Sequence, residues 1–381
     1  MEVKVSIIIP VYNVEPWLRD CLDSAVNQTL KEIEIICIND ASVDDSLNIL
    51  EEYAEKDERL QIVNLEINKG LSVARNIGFS HAIGEYVYFF DSDDIIELCA
   101  MEKLYNRATV EQLDVLCFEG ETFFDRDELS KRYDYQRRWC QRSKEYMGIK
   151  TGKELFSEMI TNGDYKVVVW ILFVRRAFYI ANKLEFVPQI LFEDNIFTFE
   201  LFLRANRVAH LYEKLYLRRV RDNSITTSKF AFARVWGFFT CVLKCIDFVN
   251  ELLGEDETKK LFYKEVDRLL WCCRNEYKNL SVNETDKYLQ LPVEKSRLFK
   301  YLVVDYVNLE KEKVSLGNRI KQLDIKYKNL FDKFLLFQKE NSYNTIHLRD
   351  VKSGWSFRIG RIITFIPRNI RDFLRHKKFI K

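Results

Sequence analysis

The alternation of the first 120 residues constrains the fold more than any other feature. Short runs rich in Val, Ile, Tyr and Phe at 3–9, 33–39, 60–65, 86–90 and 114–118 are separated by amphipathic stretches at 17–28, 44–56, 72–82 and 98–112. Strands alternating with helices of this length predict successive βαβ units and an α/β domain with a mostly parallel sheet flanked by helices. Pro16 suits the first turn of the first helix, where its missing N–H loses no bond. Parallel strands all end on one edge of their sheet, and ligands bind in the loops that leave that edge.

The first run ends in Pro10-Val11-Tyr12-Asn13 and the second in Asn39-Asp40-Ala41-Ser42. Asp40 is placed to accept from a base N–H such as the imide of uracil; equally, Asp40 or Ser42 could cap the following helix. The third connection, Asn68-Lys69-Gly70-Leu71-Ser72-Val73-Ala74-Arg75-Asn76, sets a glycine turn before a helix. Its N–H groups and the Arg75 cation would attract phosphate, unless Arg75 is only a surface ion-pair donor. The fourth run stops at Asp91-Ser92-Asp93-Asp94. Three carboxylates in four residues repel one another, and at the end of a buried strand a cation would offset that repulsion. Mg²⁺ or Mn²⁺ fits, taking one or two carboxylates and completing its shell with phosphate and water. The alternative is a solvated acidic turn capping the helix near Leu98.

These four motifs, in this order and spacing, resemble the family 2 inverting glycosyltransferases of the GT-A fold, strongly over residues 1–120 and more thinly to about 228. The resemblance implies that the Pro10, Val11, Tyr12 and Asn13 loop wraps a nucleoside and that Asp40 contacts its base. It further implies that Arg75 supports the base or phosphate region, that Asp91 reaches the ribose with Ser92 in the same turn, and that Asp93, joined by Asp91, ligates the metal. Phe192-Glu193-Asp194-Asn195 resembles the family's Glu-Asp pair, with Asp194 as general base and Glu193 orienting it; the rival reading makes both favourable charges in a helix's first turn. Trp170 stands where relatives place an acceptor-side Trp, although a core position is the commoner fate of that residue. Arg219, five residues before Ser224-Ile225-Thr226, matches a family arginine, but Arg221 stands where many relatives have His, leaving open which of the two touches the diphosphate.

The implied reaction moves a sugar from a nucleotide-diphosphate donor, a UDP-sugar by the Asp40 argument, to a hydroxyl of a saccharide or lipid-linked acceptor. Its setting would be bacterial polysaccharide or glycolipid assembly, with Mn²⁺ or Mg²⁺ as cofactor. Glycosidases need a protonated acid and no metal, and a nucleotidyltransferase would open with a Gly-rich loop and a basic residue after strand one. The remaining rival is a catalytically inactive glycosyltransferase-like scaffold, against which the intact Asp91, Asp93 and Asp194 count.

Beyond Gly120 the pattern loosens into a charged excursion at 125–144, then resumes with a helix at 152–160, a strand at 167–171, a helix at 193–204 and a strand at 211–219. From Phe230 the period is helical, which predicts a domain at 1–228, an all-α extension at 229–340 and a tail at 341–381. Leu309, Leu316, Ile320, Leu323, Tyr327, Leu330, Phe334 and Phe337 form a heptad seam, read either as a homodimeric coiled coil or as a long helix packed on its own domain. A net charge of +1 argues against nucleic acid as a partner, yet the tail holds ten Lys/Arg against two Asp/Glu. Interspersed with Trp and Ile, it is expected to contact an anionic membrane, or else to fold back on the acidic body. Nine cysteines without a CxxC pair and four histidines offer no zinc site. With no signal-like start, the expectation is a cytoplasmic protein, on the inner face of the membrane if the tail binds there.

Overall fold

The computed structural model describes residues 2–222, 231–253 and 259–312. In chain order the first elements are β1 (Val5–Val11), α1 (Glu15–Val26), β2 (Ile33–Asn39), α2 (Ser46–Ala54), β3 (Leu60–Asn64), α3 (Leu71–His81) and β4 (Tyr86–Phe89). A short β5 (Ile95–Ile96), α4 (Ala100–Val110), a long β6 (Val115–Phe124), α5 (Asp127–Arg132), α6 (Gly152–Asn162), β7 (Leu172–Arg175), α7 (Arg176–Ala181), α8 (Asp194–Arg204) and β8 (Val208–Val220) complete the sheet domain.

The sheet has eight strands in the order β3-β2-β1-β4-β7-β6-β8-β5. The first four are parallel, as the βαβ pattern predicts. In the other half β7 runs antiparallel to both β4 and β6, and β5 is antiparallel to β8, while β6 and β8 are parallel, so that four of the seven described pairings are parallel. The sheet is therefore mixed. The strand expected at 167–171 is displaced. Val169–Ile171 form a 3-10 turn and the strand begins at Leu172, because the continuous apolar run at 167–174 gives periodicity no means of choosing which part pairs.

Within the parallel half, β1, β2 and β4 are buried on both faces. Every residue of β1 and β2 is buried, with Ile7, Ile9, Ile35 and Cys37 packed against Leu18 and Leu22 of α1 and Leu50 of α2. The charged excursion after β6 is anchored rather than loose. Buried Arg142 donates to Glu119 at 2.5 and 2.6 Å, and Glu119 also meets the Nε2 of His210 at 2.8 Å. Since His210 Nδ1 accepts from the N–H of Tyr146 at 3.2 Å, the proton of the neutral ring sits on Nε2.

The chain divides into two compact units, the first running to Lys229 with Lys260–Glu265 added, the second beginning at Phe230 and resuming at Val266. The described part of the second is helical: α9 (Phe232–Leu252), most of α10 (Lys259–Lys278), α11 (Val282–Thr285), α12 (Val293–Phe299) and α13 (Asp305–Glu312). Buried Phe299 gathers Phe232, Phe239, Tyr277 and Tyr288 around its ring. Of the heptad seam only Leu309 falls in a described element; positions 316–337 and the basic tail lie outside the described residues. All nine cysteines are thiols without a disulfide. Among the described residues no helix is long and apolar enough to cross a membrane.

Helix α6 meets α8 at Gly152, whose N–H donates to the carbonyl of Ala205 at 2.8 Å. A Cβ there would lie 2.1 Å from the carbonyl oxygen of Phe202, a backbone atom that cannot swing aside. Gly152→Ala is therefore expected to destabilise the sheet domain by about 1–3 kcal/mol, as overpacking does. Urea denaturation checks this, and an unchanged midpoint would contradict the close approach.

Candidate active site

Because β1, β2 and β4 are parallel, their following loops leave the same edge. Two of these loops are laced together: the N–H of Asn13 donates to Ser42 Oγ at 3.2 Å, and the N–H of Val43 donates to Asn13 Oδ1 at 2.9 Å. Asn13 and Ala41 both take left-handed backbone, at φ 51 and 59. Pro10 and Val11, expected in the loop, are instead the buried last residues of β1, so the loop proper presents Tyr12, which is 48% exposed, and Asn13. Neither Asp40 nor Ser42 caps a helix, since α2 starts only at Ser46. Asp40 is buried and accepts from the N–H groups of Lys69 and Gly70 at 2.7 and 2.8 Å, fixing the glycine turn before α3. Gly70 has φ 87, which an L side chain rarely adopts.

The acidic turn is where the sequence argument is most altered. Its carboxylates do not stand uncompensated. Arg75 donates through Nη2 to Asp91 Oδ1 at 2.9 Å, and Arg221 donates through Nε to Asp93 Oδ2 at 2.6 Å. Asp94 is buried, accepts from the Tyr216 hydroxyl and takes the N–H of Arg219 at 2.6 Å. The pairing of β5 with β8, Ile95 opposite Leu217, brings those β8 residues to the turn. Burial, reinforced by the neighbouring Asp93 and Asp91, pushes the Asp94 carboxyl well above its ordinary range. Ser92 is buried in the same turn.

Arg219 and Arg221 separate clearly. The Arg219 guanidinium is spent on Asp20, Asp125 and the carbonyl of Asp93, over the ring of Phe123. Arg221 lies on the Trp17 ring at 4.1 Å with its Nε on Asp93, so it is the cation paired with Asp93.

Glu193 and Asp194 open α8 and approach the same corner from a different direction. Arg75 Nη1 donates to Glu193 Oε1 at 2.7 Å and to Asp194 Oδ1 at 2.8 Å, while the N–H of Val169 donates to Asp194 Oδ2 at 3.3 Å. Phe192 turns the chain into the helix at φ 67. Asn76 holds the approaching strand of chain by exchanging two bonds with the backbone of Phe186, at 2.8 and 2.9 Å. The site thus unites Asp91, Glu193 and Asp194 on Arg75, while Asp93, two residues on from Asp91, is held by Arg221. It does not expose Arg75, whose side chain is 1% accessible and therefore has no surface for a phosphate.

Trp170 requires a second correction. It is buried, stacked on Tyr216 at 4.2 Å with Trp139 tilted beside it, and its carbonyl accepts from Tyr88. Its ring supports the acidic turn from within, the core position given as the commoner fate of such a residue. Sequence reading missed Tyr216, Val169 and the structural part of Asp94. The one local signal was the aspartate directly after Asp93.

Among the described residues no group of three or more His, Cys, Asp or Glu side chains could hold a metal unaided. Asp91 and Asp93 are hard oxygen donors, 29% and 20% exposed, a set that fits an ion completing its shell with phosphate and water.

Burial and then the adjacent Asp194 raise the Glu193 carboxyl to about 7, against an ordinary 4.5, with Arg75 opposing. A folded-state value above the unfolded one means a stabilising contribution that is full below about pH 4.5 and lost as pH rises through about 7. Glu193→Gln is therefore expected to flatten the fall in melting temperature between pH 5 and 8. Parallel curves for the two proteins would contradict that assignment.

Residues 6–163 match the model of Glycosyl transferase family 2. The chain is 36% identical over 225 residues to the uncharacterized glycosyltransferase EpsJ of Bacillus subtilis, covering 58% of this chain and 62% of that one. It is 35% identical over 233 residues to a cholesterol galactosyltransferase of Borreliella burgdorferi, covering 59% and 62%. The match thus spans less than two thirds of either relative. Among solved structures, residues 1–349 of TarS from S. aureus in complex with UDP-GlcNAc superpose with a TM-score of 0.57 at 21% identity, over 94% of this chain and 92% of that one. The fold is therefore GT-A, and residues 6–163 are similar in sequence to glycosyl transferase family 2.

Proposed function

We propose that this protein is an inverting glycosyltransferase that passes a sugar from a nucleoside diphosphate, a UDP-sugar, to an acceptor hydroxyl. The observation that carries the reading is the meeting, through Arg75, of Asp91 from the turn after β4 with Glu193 and Asp194 at the start of α8. The turn faces the loops that leave the parallel strands; the helix start presents a carboxylate beside them. The uridine preference draws on the β2 loop that carries Asp40, laced to the loop of exposed Tyr12, and on the UDP and UDP-GlcNAc complexes of the TarS neighbour.

In this reading the nucleoside lies against Tyr12 and the β2 loop, and Arg221 meets the diphosphate charge. The acceptor hydroxyl donates to Asp194, which takes its proton as the new O–C1 bond forms and the C1–O bond to phosphate breaks. A single in-line displacement inverts the anomeric carbon. The chemistry a divalent cation supplies there, with Asp93 and Asp91 as its ligands, is positive charge against the departing diphosphate. The acceptor class is not fixed by family: one relative is named for cholesterol and another for poly(ribitol-phosphate).

A donor-hydrolysis screen of sugar nucleotides, with and without EDTA, tests the reading. The expected result is UDP-sugar turnover that EDTA and Asp93→Ala both remove. With an acceptor identified, Asp194→Asn should lower kcat by about 10²–10⁴-fold in protein shown to be folded by its thermal melt. EDTA-insensitive turnover would contradict the metal assignment, and a fully active Asp194→Asn would contradict the base.

A further inference from the structure

Arg75 touches both halves of the site. We propose that Arg75 is a positioning residue for the transfer: its guanidinium fixes Asp194 and ties it to Asp91, so that base and donor-side carboxylate are held in one register. The inference rests on the reading of Asp194 as the base.

Three observations carry it. The first is reach. Nη1 bonds Glu193 and Asp194, which lie 118 and 119 residues away in sequence, while Nη2 bonds Asp91, 16 residues away. A planar guanidinium sets these directions rigidly, whereas an ammonium is a point charge that does not reproduce the fork. The second is burial. With its side chain 1% exposed and its face against the Phe186 ring at 5.1 Å, Arg75 acts on substrates only through the carboxylates it holds. The third is the environment of Asp194. Oδ1 is held by Arg75 and Oδ2 by the N–H of Val169, yet the side chain keeps 17% exposure, so the carboxylate is fixed in direction while it still meets solvent.

Charge supports the geometry. Burial works to lower Arg75, but Asp194, Asp91 and Glu193 outweigh it and keep the guanidinium charged. The same cation opposes the upward push of burial on Asp91 and Glu193. Removing it leaves three carboxylates facing one another without a counter-charge.

The test uses the full chain with Arg75→Lys and Arg75→Gln, each checked for folding by its thermal melt. For Arg75→Lys the expected outcome is a kcat lower by about 10²-fold, the usual effect of a misplaced group. Donor KM should stay within about two-fold, since Arg75 does not touch the donor. In Arg75→Gln the acid limb of the kcat–pH profile should move to higher pH. A raised donor KM with kcat and pH profile unmoved would overturn the proposal, because Arg75 would then act on the donor. A second arm needs no activity. In ligand-free protein with ¹³C-labelled carboxyls, Arg75→Gln should raise the titration midpoint of Glu193, and an unmoved midpoint overturns the proposal on its own. A wild type that turns over no sugar nucleotide defeats the functional reading instead, and the titration arm still decides the role of Arg75. If the Lys variant does not fold, Arg75→Gln supplies the kinetic arm with the same outcomes.

Discussion

A charged arginine buried among three carboxylates is the interaction on which the sheet domain's functional edge depends. Charges lose several kcal/mol of hydration on burial, and removing one partner of such a cluster costs about 3–5 kcal/mol because the rest are left uncompensated. Arg75 can be 1% exposed only because Asp91, Glu193 and Asp194 surround it. Conversely, β4 can end in an acidic turn, and α8 can begin with two acids, only because Arg75 lies between them. The cluster specifies one arrangement of segments distant in sequence, and that arrangement is the site.

The mixed sheet explains how the segments arrive. The parallel half sends the β1, β2 and β4 loops to one edge. Inserting β7 antiparallel beside β4 places the 3-10 turn at Val169–Ile171 on the same side, so that the N–H of Val169 reaches Asp194. The short β5 joins β8 and delivers Tyr216, Arg219 and Arg221 to the turn. Packing then completes the support: Tyr216 is stacked on Trp170 while its hydroxyl serves Asp94. A residue that looks like part of an acceptor surface in sequence is thereby a strut beneath the acidic turn.

What was legible in sequence was local. The strands at 33–39 and 60–65, the glycine turn at Gly70, the abrupt end of β4 at Asp91 and the helix from Asp194 all announce themselves by period or by residue type over a few positions. Compensation was not legible, because the partners are far apart along the chain: Arg221 is 128 residues from Asp93 and Tyr216 is 122 from Asp94. Read locally, three aspartates seem to demand a cation; in the fold, two arginines and a tyrosine already answer much of that charge. The antiparallel strands were hidden for the same reason, since a buried apolar run carries no mark of its partner's direction. Arg75 shows the limit most clearly, as its sequence motif points to phosphate while its burial points to Asp194.

The most direct measurement is a crystal structure of the chain with UDP and Mn²⁺. The account predicts the uracil between Tyr12 and Asp40, the diphosphate beside Arg221, the ion on Asp93, and Asp194 still bonded to Arg75. A nucleotide bound away from this edge, or an Asp93 that keeps Arg221 and takes no ion, would contradict it.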